Sequence, residues 1–279
     1  MLNLPFRFTR IFLKCHSSSI VFLIVGTVIC FFYSFELKGK TNSSQIEIKQ
    51  FPIQKKWGTI SALPLGLKLE IKQLGPKEKV LIPRMNNRVK TLYLAHDPQK
   101  KPLTLKSGIE EWEIQLPPKT PSIPTSVIVE FKEHPYLPLK PKVIREDQNQ
   151  QLILEAKDAI VHGKLLRYEP QPHKNTVGYW ANENDWCEWK LNAKTSGVFD
   201  VYLLQGCGKG QGGSKVNLSV NDQILKFIVE DTSHFQNFKE RHLGMLTINK
   251  AGVQSLKLKP QQKAQKAVMD VRQILLVRQ

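Results

Sequence analysis

Residues 198–220 read VFDVYLLQGCGKGQGGSKVNLSV, and this stretch decides which class of fold the chain can adopt. Its first part, 198–205, is rich in the β-branched, aromatic and aliphatic residues that favour strands. Its last part, 214–220, alternates apolar and polar side chains with a period of two, which is typical of a half-buried strand. The stretch therefore predicts two antiparallel strands joined by a glycine-rich turn.

A nucleotide-binding loop is the main alternative for the same residues. Gly208, Gly210 and Gly213 have the spacing G-x-G-x-x-G, but a dinucleotide site needs a helix directly after the glycines to hold the pyrophosphate. A strand pattern follows instead, and no Gly-Lys-Ser/Thr closes the loop. The sequence therefore argues against a nucleotide-binding fold.

Short strand patterns continue on both sides of this stretch, and no long segment has helical periodicity. Many short strands separated by turn residues predict an all-β protein. The proline-rich PYLPLKP at 135–141 divides the strands into two β-sandwich domains. The predicted organisation is a signal anchor at 1–36, a polar stalk at 37–56, a first β-domain at 57–140, a linker at 141–149 and a second β-domain at 150–279.

The N-terminal segment has the composition of a membrane-targeting helix. Residues 20–35, IVFLIVGTVICFFYSF, carry no charge, and Arg7, Arg10 and Lys14 precede them. A basic region before an apolar run is typical of a secretion signal or a membrane anchor. Because no small-x-small cleavage site follows, we expect a single-pass membrane anchor with the bulk of the chain periplasmic or extracellular. Secretion after signal cleavage is the alternative.

The net charge of +17 restricts the class of partner. Such a charge is common in nucleic-acid-binding proteins. Here the basic residues are spread along the chain and form no run interleaved with aromatic residues, so no nucleic acid is predicted. An exported basic protein is more compatible with anionic glycans, and a generally basic solvated surface is the alternative.

Two cysteines, Cys187 and Cys207, lie in the body of the chain. They have neither C-x-x-C spacing nor a local histidine partner, so a zinc site is not predicted. In an oxidising compartment they can form a disulfide, and two buried free thiols are the other reading.

An ordered series of motifs in the second block resembles a known binding module. The motifs are LEAKDA (154–159), GYWANENDWCEW (178–189), TSGVFDVYLL (195–204), TSHFQNF (232–238), LTINKAGVQSLKLKP (246–260) and VMDVRQILL (268–276). Their order is similar to that in the galactose-binding-like β-sandwich of family-6-type carbohydrate-binding modules, and the similarity covers 150–279. The resemblance implies a jelly roll that binds a glycan.

The first block resembles a different family. The tripeptide WGT at 57–59, together with residues 80–103 and 112–131, is similar to the C-terminal β-domain of α-L-fucosidases. That family places a catalytic (β/α)₈ barrel before this domain. Because 56 residues precede Trp57 in this sequence and a barrel needs at least ~200, we expect the barrel to be absent and the chain not to be an enzyme.

Aromatic and planar polar residues in the second block provide candidate ligand contacts. Aromatic rings pack on the apolar faces of sugars while polar groups pair with hydroxyls. The resemblance places Phe235 where the family has a stacking tryptophan and Asp270 beside the sugar, whereas Trp189 and Phe238 are expected in the core. The predicted carbohydrate-binding residues are His173, Tyr179, Trp180, Asn182, Gln205, Lys209, Phe235 and Asp270.

Calcium is the one cofactor that the resemblance suggests, because such modules often hold it with acidic residues at their start. The candidates are Glu155 and Asp158, but Lys157 between them disfavours a cation. The resulting prediction is a non-catalytic, exported, membrane-anchored protein that binds a glycan, either acidic or fucose-containing. The alternatives are a structural or protein-interaction β-sandwich, and a detached accessory part of an α-L-fucosidase or sulfatase.

Overall fold

Antiparallel strands make up almost all of the regular structure. A computed structural model of the protein describes residues 50–75, 78–118, 123–138 and 140–279. Within these ranges the chain forms twenty strands and a single 3₁₀ turn at Ala156–Asp158, so the predicted all-β class is confirmed. The predicted signal anchor and most of the predicted stalk lie outside the described residues. Nothing within the described ranges is a helix long and apolar enough to span a bilayer.

The first block is a sandwich of a five-stranded and a three-stranded sheet. The larger sheet has the order β1-β2-β3-β8-β5 and the smaller one β4-β7-β6, and every pairing within them is antiparallel. The strands are β1 Ile53–Lys55, β2 Gly58–Leu63, β3 Gly66–Ile71, β4 Val80–Pro83, β5 Val89–Leu94, β6 Thr104–Ser107, β7 Glu111–Gln115 and β8 Thr125–Phe131.

Side-chain alternation explains the core of this first sandwich. In β8 every second residue is buried, among them Val127, Val129 and Phe131. Trp112 of the smaller sheet is fully buried as well. Because successive residues of a strand point to opposite faces, this pattern brings one apolar face of each sheet against the other.

The second block is a jelly roll of two six-stranded sheets. One has the order β12-β13-β20-β15-β18 with β10 paired to β20, and the other has the order β11-β14-β19-β16-β17 with β9 paired to β14. The strands are β9 Val143–Arg145, β10 Gln151–Glu155, β11 Ile160–His162, β12 Arg167–Glu169, β13 Thr176–Gly178, β14 Trp186–Ala193, β15 Gly197–Cys207, β16 Lys215–Val220, β17 Gln223–Ile228, β18 His234–Ile248, β19 Gly252–Gln262 and β20 Asp270–Arg278.

Two segments predicted as connections form strands. Ile53–Lys55, at the end of the predicted stalk, pairs with β2, and Val143–Arg145, in the predicted linker, pairs with β14 in parallel. The linker residue Ile144 is 6% exposed, and the side chain of Glu146 forms an ion pair with Arg278 at 2.7 Å. A run of three residues is too short to show an alternating pattern, so these two strands could not be predicted from the sequence.

The glycine-rich loop is a crossover between the two sheets of the jelly roll, not the hairpin turn that the sequence predicts. It connects β15 in one sheet with β16 in the other. The carboxylate of Asp231 accepts hydrogen bonds from the backbone N–H groups of Gly210 and Ser233, which holds the loop against the turn before β18. Gly210 and Gly213 have φ values of 73° and 96°, which L side chains rarely adopt.

Direct contacts join the two sandwiches, which belong to one compact unit. Nη2 of Arg84 donates to the backbone oxygens of Lys157 and Ala159, both at 3.1 Å. The rings of Trp112 and Tyr168 lie 6.3 Å apart. The first sandwich therefore has a fixed placement against the strand β12 that borders the site described below.

Candidate functional site

Two glycines lie on either side of Asp270 on one face of the sheet β12-β13-β20-β15-β18. Asp270 opposes Gly206 in the register between β20 and β15. A Cβ on Gly178 would lie 2.7 Å from Oδ1 of Asp270, and a Cβ on Gly206 would lie 1.9 Å from the backbone oxygen of Phe235. Neither position has space for a side chain, so the backbone itself forms the floor of this face around Asp270.

A second carboxylate faces Asp270 across Gly178. Oε2 of Glu169 lies 2.8 Å from the position that a Cβ on Gly178 would take, and Oε1 of Glu169 pairs with Nζ of Lys174 at 2.7 Å. Asp270 and Glu169 are 4% and 5% exposed. We refer to Glu169, Lys174, Gly178 and Asp270 as the acid pair site.

Burial, together with the charge of Glu169, raises the pKa of Asp270 to about 8. Near neutral pH this carboxyl is therefore largely protonated, and it can donate a hydrogen bond as well as accept one. The raised pKa also means that ionisation of Asp270 opposes folding. Strongly perturbed carboxyl groups of this kind are concentrated at functional sites.

Aromatic side chains border the acid pair site on two sides. Tyr179, directly after Gly178, is 52% exposed, and its ring carries the guanidinium of Arg167 at 3.7 Å from the centroid. On the other side, the half-buried ring of Phe235 covers Gly208, where a Cβ would lie 2.6 Å from the ring. The face thus presents one exposed and one half-buried ring beside its polar groups.

Arg272, two residues after Asp270 on β20, lies at one edge of this face. Its guanidinium lies 3.6 Å from the ring centroid of Phe238 and donates to the backbone oxygens of His173 and Lys174. Phe238, which the sequence predicts in the core, is half-buried and supports this cation, so that prediction is wrong. The reason is that Gly206 has no side chain, so the ring of Phe238 packs over it on the outer face, 3.4 Å from the position that a Cβ would take.

The structure brings together five of the eight residues predicted to bind carbohydrate. Tyr179 directly follows Gly178, which adjoins Asp270, and Phe235 lies beside Gly206, the register partner of Asp270. The backbone oxygen of His173 accepts a hydrogen bond from Arg272 at the edge of this face. Lys209 is exposed and lies near Phe235, because the backbone N–H of Lys209 donates to the oxygen of Ser233, two residues before Phe235.

Three predicted residues do not reach this face. Trp180 is 1% exposed, and its Nε1 donates to the backbone oxygen of Asp185 at 2.9 Å. Gln205 is fully buried and donates to the backbone oxygen of Glu230. Asn182 accepts from the N–H of Asn184 within its own turn.

The backbone explains the difference between Tyr179 and its neighbour. Tyr179 has a left-handed φ of 58°, so the chain bends there and Trp180 enters the core while Tyr179 stays outside. Trp189 is fully buried, as the sequence predicts. Lys174 and Arg272 were not among the predicted residues, since their contribution depends on a strand pairing that no short motif specifies.

The predicted calcium ligands have ammonium partners. Nζ of Lys142 lies 2.9 Å from Asp158, and Nζ of Lys157 lies 3.2 Å from Glu155 and 2.6 Å from Glu133. Calcium requires several uncompensated oxygen ligands. Among the residues that the structure describes, no three metal-ligating side chains form a cluster, so this geometry does not favour calcium.

Cys187 and Cys207 are both free and buried. Of the two alternatives, the structure therefore has the buried free thiols, one on β14 and one on β15. Burial raises the pKa of both thiols, that of Cys207 to about 11.

Comparisons with known proteins give structural neighbours only, since neither a family model nor a curated protein matches the sequence. The C-terminal family-6 carbohydrate-binding module of a marine laminarinase from Zobellia galactanivorans is 16% identical, with a TM-score of 0.39 over 46% of this chain and 99% of that one. A family-35 carbohydrate-binding module from Clostridium thermocellum is 18% identical, with a TM-score of 0.38 over 45% of this chain and 96% of that one.

An α-L-fucosidase from Vibrio sp. strain EJY3 is 15% identical, with a TM-score of 0.33 over 81% of this chain and 40% of that one. The neighbours thus include both families that the sequence resembles. At these identities and TM-scores the likeness does not reach beyond the β-fold, so the function is argued from the site itself.

Proposed function

We propose that this chain is a non-catalytic carbohydrate-binding protein whose ligand lies on the acid pair site between Tyr179 and Phe235. The observation that carries the proposal is that two almost closed carboxyl groups, Asp270 and Glu169, lie side by side on the outer face of a sheet. Ionisation of Asp270 in this position opposes folding. A group that lowers stability is typically retained for function.

The chemistry of the face matches that of a sugar. The ring of Tyr179 offers a flat apolar surface, and its contact with Arg167 fixes its orientation before any ligand arrives. The glycine floor lets a ligand approach the backbone closely, and Asp270 and Glu169 can pair with hydroxyl groups through the small part of each side chain that stays exposed. An acidic or fucose-containing glycan is the proposed ligand class.

A binding titration with matched variants tests this proposal. The full-length protein is screened on a glycan array, and hits are measured by calorimetry for the wild type, Tyr179→Ala and Tyr202→Ala. Tyr202 is a matched control, because it lies on β15 of the same sheet, four residues before Gly206. Its ring packs against His242 and not against the acid pair site. We expect Tyr179→Ala to lower affinity about tenfold, the equivalent of ~1.4 kcal/mol, and Tyr202→Ala to leave it unchanged. Equal effects of the two variants, or no hit on the array, would contradict the proposal.

Absence of catalysis is part of the same proposal. A glycosidase places two carboxyl groups on either side of a scissile bond, whereas Asp270 and Glu169 are almost closed to solvent and Glu169 is occupied by Lys174. We expect no release of product from aryl α-L-fucosides or aryl sulfates above a heat-inactivated control. Turnover that persists through a second purification would show that the chain is an enzyme.

We also propose that residues 1–36 anchor the chain in a membrane and leave the two sandwiches outside the cytoplasm. The support is the uncharged run at 20–35 with basic residues before it. Protease added to intact spheroplasts should digest the body of the protein. Full protection, with digestion only after lysis, would refute export.

A protein-interaction role is the second candidate, and one observation favours it. The edge strand β17 presents Ile224 and Ile228, which are 54% and 57% exposed. Exposed edge strands can pair with another chain. If Ile224→Lys abolishes a partner complex while the glycan titration is negative, this second function replaces the first.

A further inference from the structure

An open groove of about 450 Å³ lies between the two sandwiches, beside the acid pair site. The first sandwich contributes Lys106 and its neighbours on β6 and β7, and the second contributes Arg167, Glu169, Gln171 and Lys174. Its volume lies within the range of about 300–1,000 Å³ that is typical of ligand sites. Glu169 and Lys174 line both this groove and the acid pair site, so the two are continuous.

The groove is preformed because hydrogen bonds hold its walls together. Nε2 of Gln171 donates to the backbone oxygen of Leu105 at 2.9 Å, directly at the groove. The N–H of Val89 donates to the oxygen of Pro170 at 3.2 Å. A ligand therefore meets a fixed wall and does not have to draw the two sandwiches together.

The carboxylates of the groove are already neutralised by lysines. Glu111 pairs with Lys55 at 3.1 Å, and Glu113 pairs with Lys79 at 2.8 Å, although neither of these lysines lines the groove. The third groove carboxylate, Glu169, pairs with Lys174. The acidic side chains therefore leave little negative charge to repel an anionic ligand.

Two cations of the groove have no carboxylate partner within 4 Å among the residues described. These are Lys106 and Arg167, one from each sandwich. The guanidinium of Arg167 is almost unused within the protein, since its Nη1 makes one long bond of 3.4 Å to Leu165 and its buried Nε has no partner in the described residues. Stacking on Tyr179 fixes the plane of this guanidinium.

A planar guanidinium with unused donors matches the geometry of an oxyanion, which it binds through two parallel hydrogen bonds. From these contacts we infer that the groove takes the anionic substituent of an acidic saccharide, a carboxylate or a sulfate ester, on Arg167 with Lys106 opposite. The inference rests on the proposed carbohydrate-binding function and adds the first sandwich to the site. The neutral part of the same saccharide then extends over the acid pair site.

Calorimetry on the full-length protein with three probes tests the inference. The probes are a uronic acid oligosaccharide, a sulfated galactan oligosaccharide and the desulfated form of the latter. We expect one of the acidic probes to bind at least tenfold more tightly than the neutral one, with the preferred probe distinguishing carboxylate from sulfate. Raising the salt concentration should reduce this preference.

Matched charge variants locate the anion. Lys106→Gln should remove most of the acidic preference and leave neutral binding unchanged. Arg167→Gln should also remove most of this preference, and it should weaken the binding of all probes, because the Tyr179 ring loses the cation that fixes its orientation. Arg145→Gln removes the same charge from an exposed residue of β9, outside the groove, and should change neither. Melting curves of all variants confirm that they are folded.

The outcomes separate this inference from the proposed function. If the wild type binds the neutral and acidic probes equally, or if Arg167→Gln keeps the preference, the groove assignment is wrong while carbohydrate binding stands. If the wild type binds none of the probes and no glycan on the array, both are wrong.

Discussion

Replacement of Asp270 by asparagine should change how the stability of the protein depends on pH. Asparagine has the shape of a protonated aspartate but cannot ionise. In the folded wild type the pKa of Asp270 is raised from 3.8 to about 8 by burial and by the charge of Glu169. Between these two values the folded state binds more protons at this residue than the unfolded state does.

The sign and size of the effect follow from proton linkage. The contribution of Asp270 to the free energy of unfolding is fully present below about pH 4, and it is lost as the pH rises through about 8. The free energy of unfolding of the wild type should fall, relative to Asp270→Asn, by up to ~1.4 kcal/mol per pH unit within that window. From pH 5 to pH 7 this amounts to roughly 2–3 kcal/mol, or about 5–10 °C in melting temperature.

Scanning calorimetry of both proteins between pH 4 and pH 9 measures this difference, since all other titrating groups are common to the two. Glu169→Gln is the second variant, and it should lower the upper limit of this pH window, because it removes a neighbouring charge that raises the pKa of Asp270 in the folded state. A difference between wild type and Asp270→Asn that stays constant from pH 5 to pH 8 would mean that Asp270 ionises at its ordinary pKa. The description of the acid pair site would then be wrong.

Three further results are expected from the packing. Trp180→Ala should destabilise the fold by roughly 3–5 kcal/mol in denaturant titrations, because it leaves a cavity in the core. A loss below about 1 kcal/mol would show that this ring is not buried. Glu146→Ala should cost roughly 3–5 kcal/mol by the same measurement, because it leaves the largely buried Arg278 unpaired, and an unchanged midpoint would contradict the ion pair. Cys187 and Cys207 should label with a thiol reagent only after denaturation, whereas rapid labelling of the folded protein or a disulfide in its mass spectrum would contradict their burial as thiols.

The sequence predicts the class of fold because alternation is a local property. The period of two in SKVNLSV is enough to indicate strand β16, and the absence of a helix after the glycines excludes a nucleotide site. The sheet to which β16 belongs was not predictable, because a loop that crosses to the opposite sheet and a hairpin turn can have the same glycine-rich composition. Only the long-range pairing of β16 with β19 distinguishes them.

The site was predicted in part for a similar physical reason. Tyr179, Phe235 and Asp270 fall in motifs whose order resembles a known module, and in the structure they lie around Gly178 and Gly206. Trp180 was assigned to the surface because polar residues follow it, but the left-handed backbone at Tyr179 reverses its direction. Glu169 can approach Asp270 only because Gly178, on the adjacent strand, has no side chain. The residues around Glu169 in the sequence do not indicate this.

The contact that Arg84 makes across the two sandwiches has an evolutionary consequence. Its guanidinium donates to backbone oxygens of residues 157 and 159, and not to side chains. These acceptors belong to the backbone, so Arg84 is the only partner of this contact whose side chain takes part in it. Among descendants of this chain, loss of Arg84 would therefore release this contact, whereas either acceptor oxygen would outlast a change of the side chain next to it.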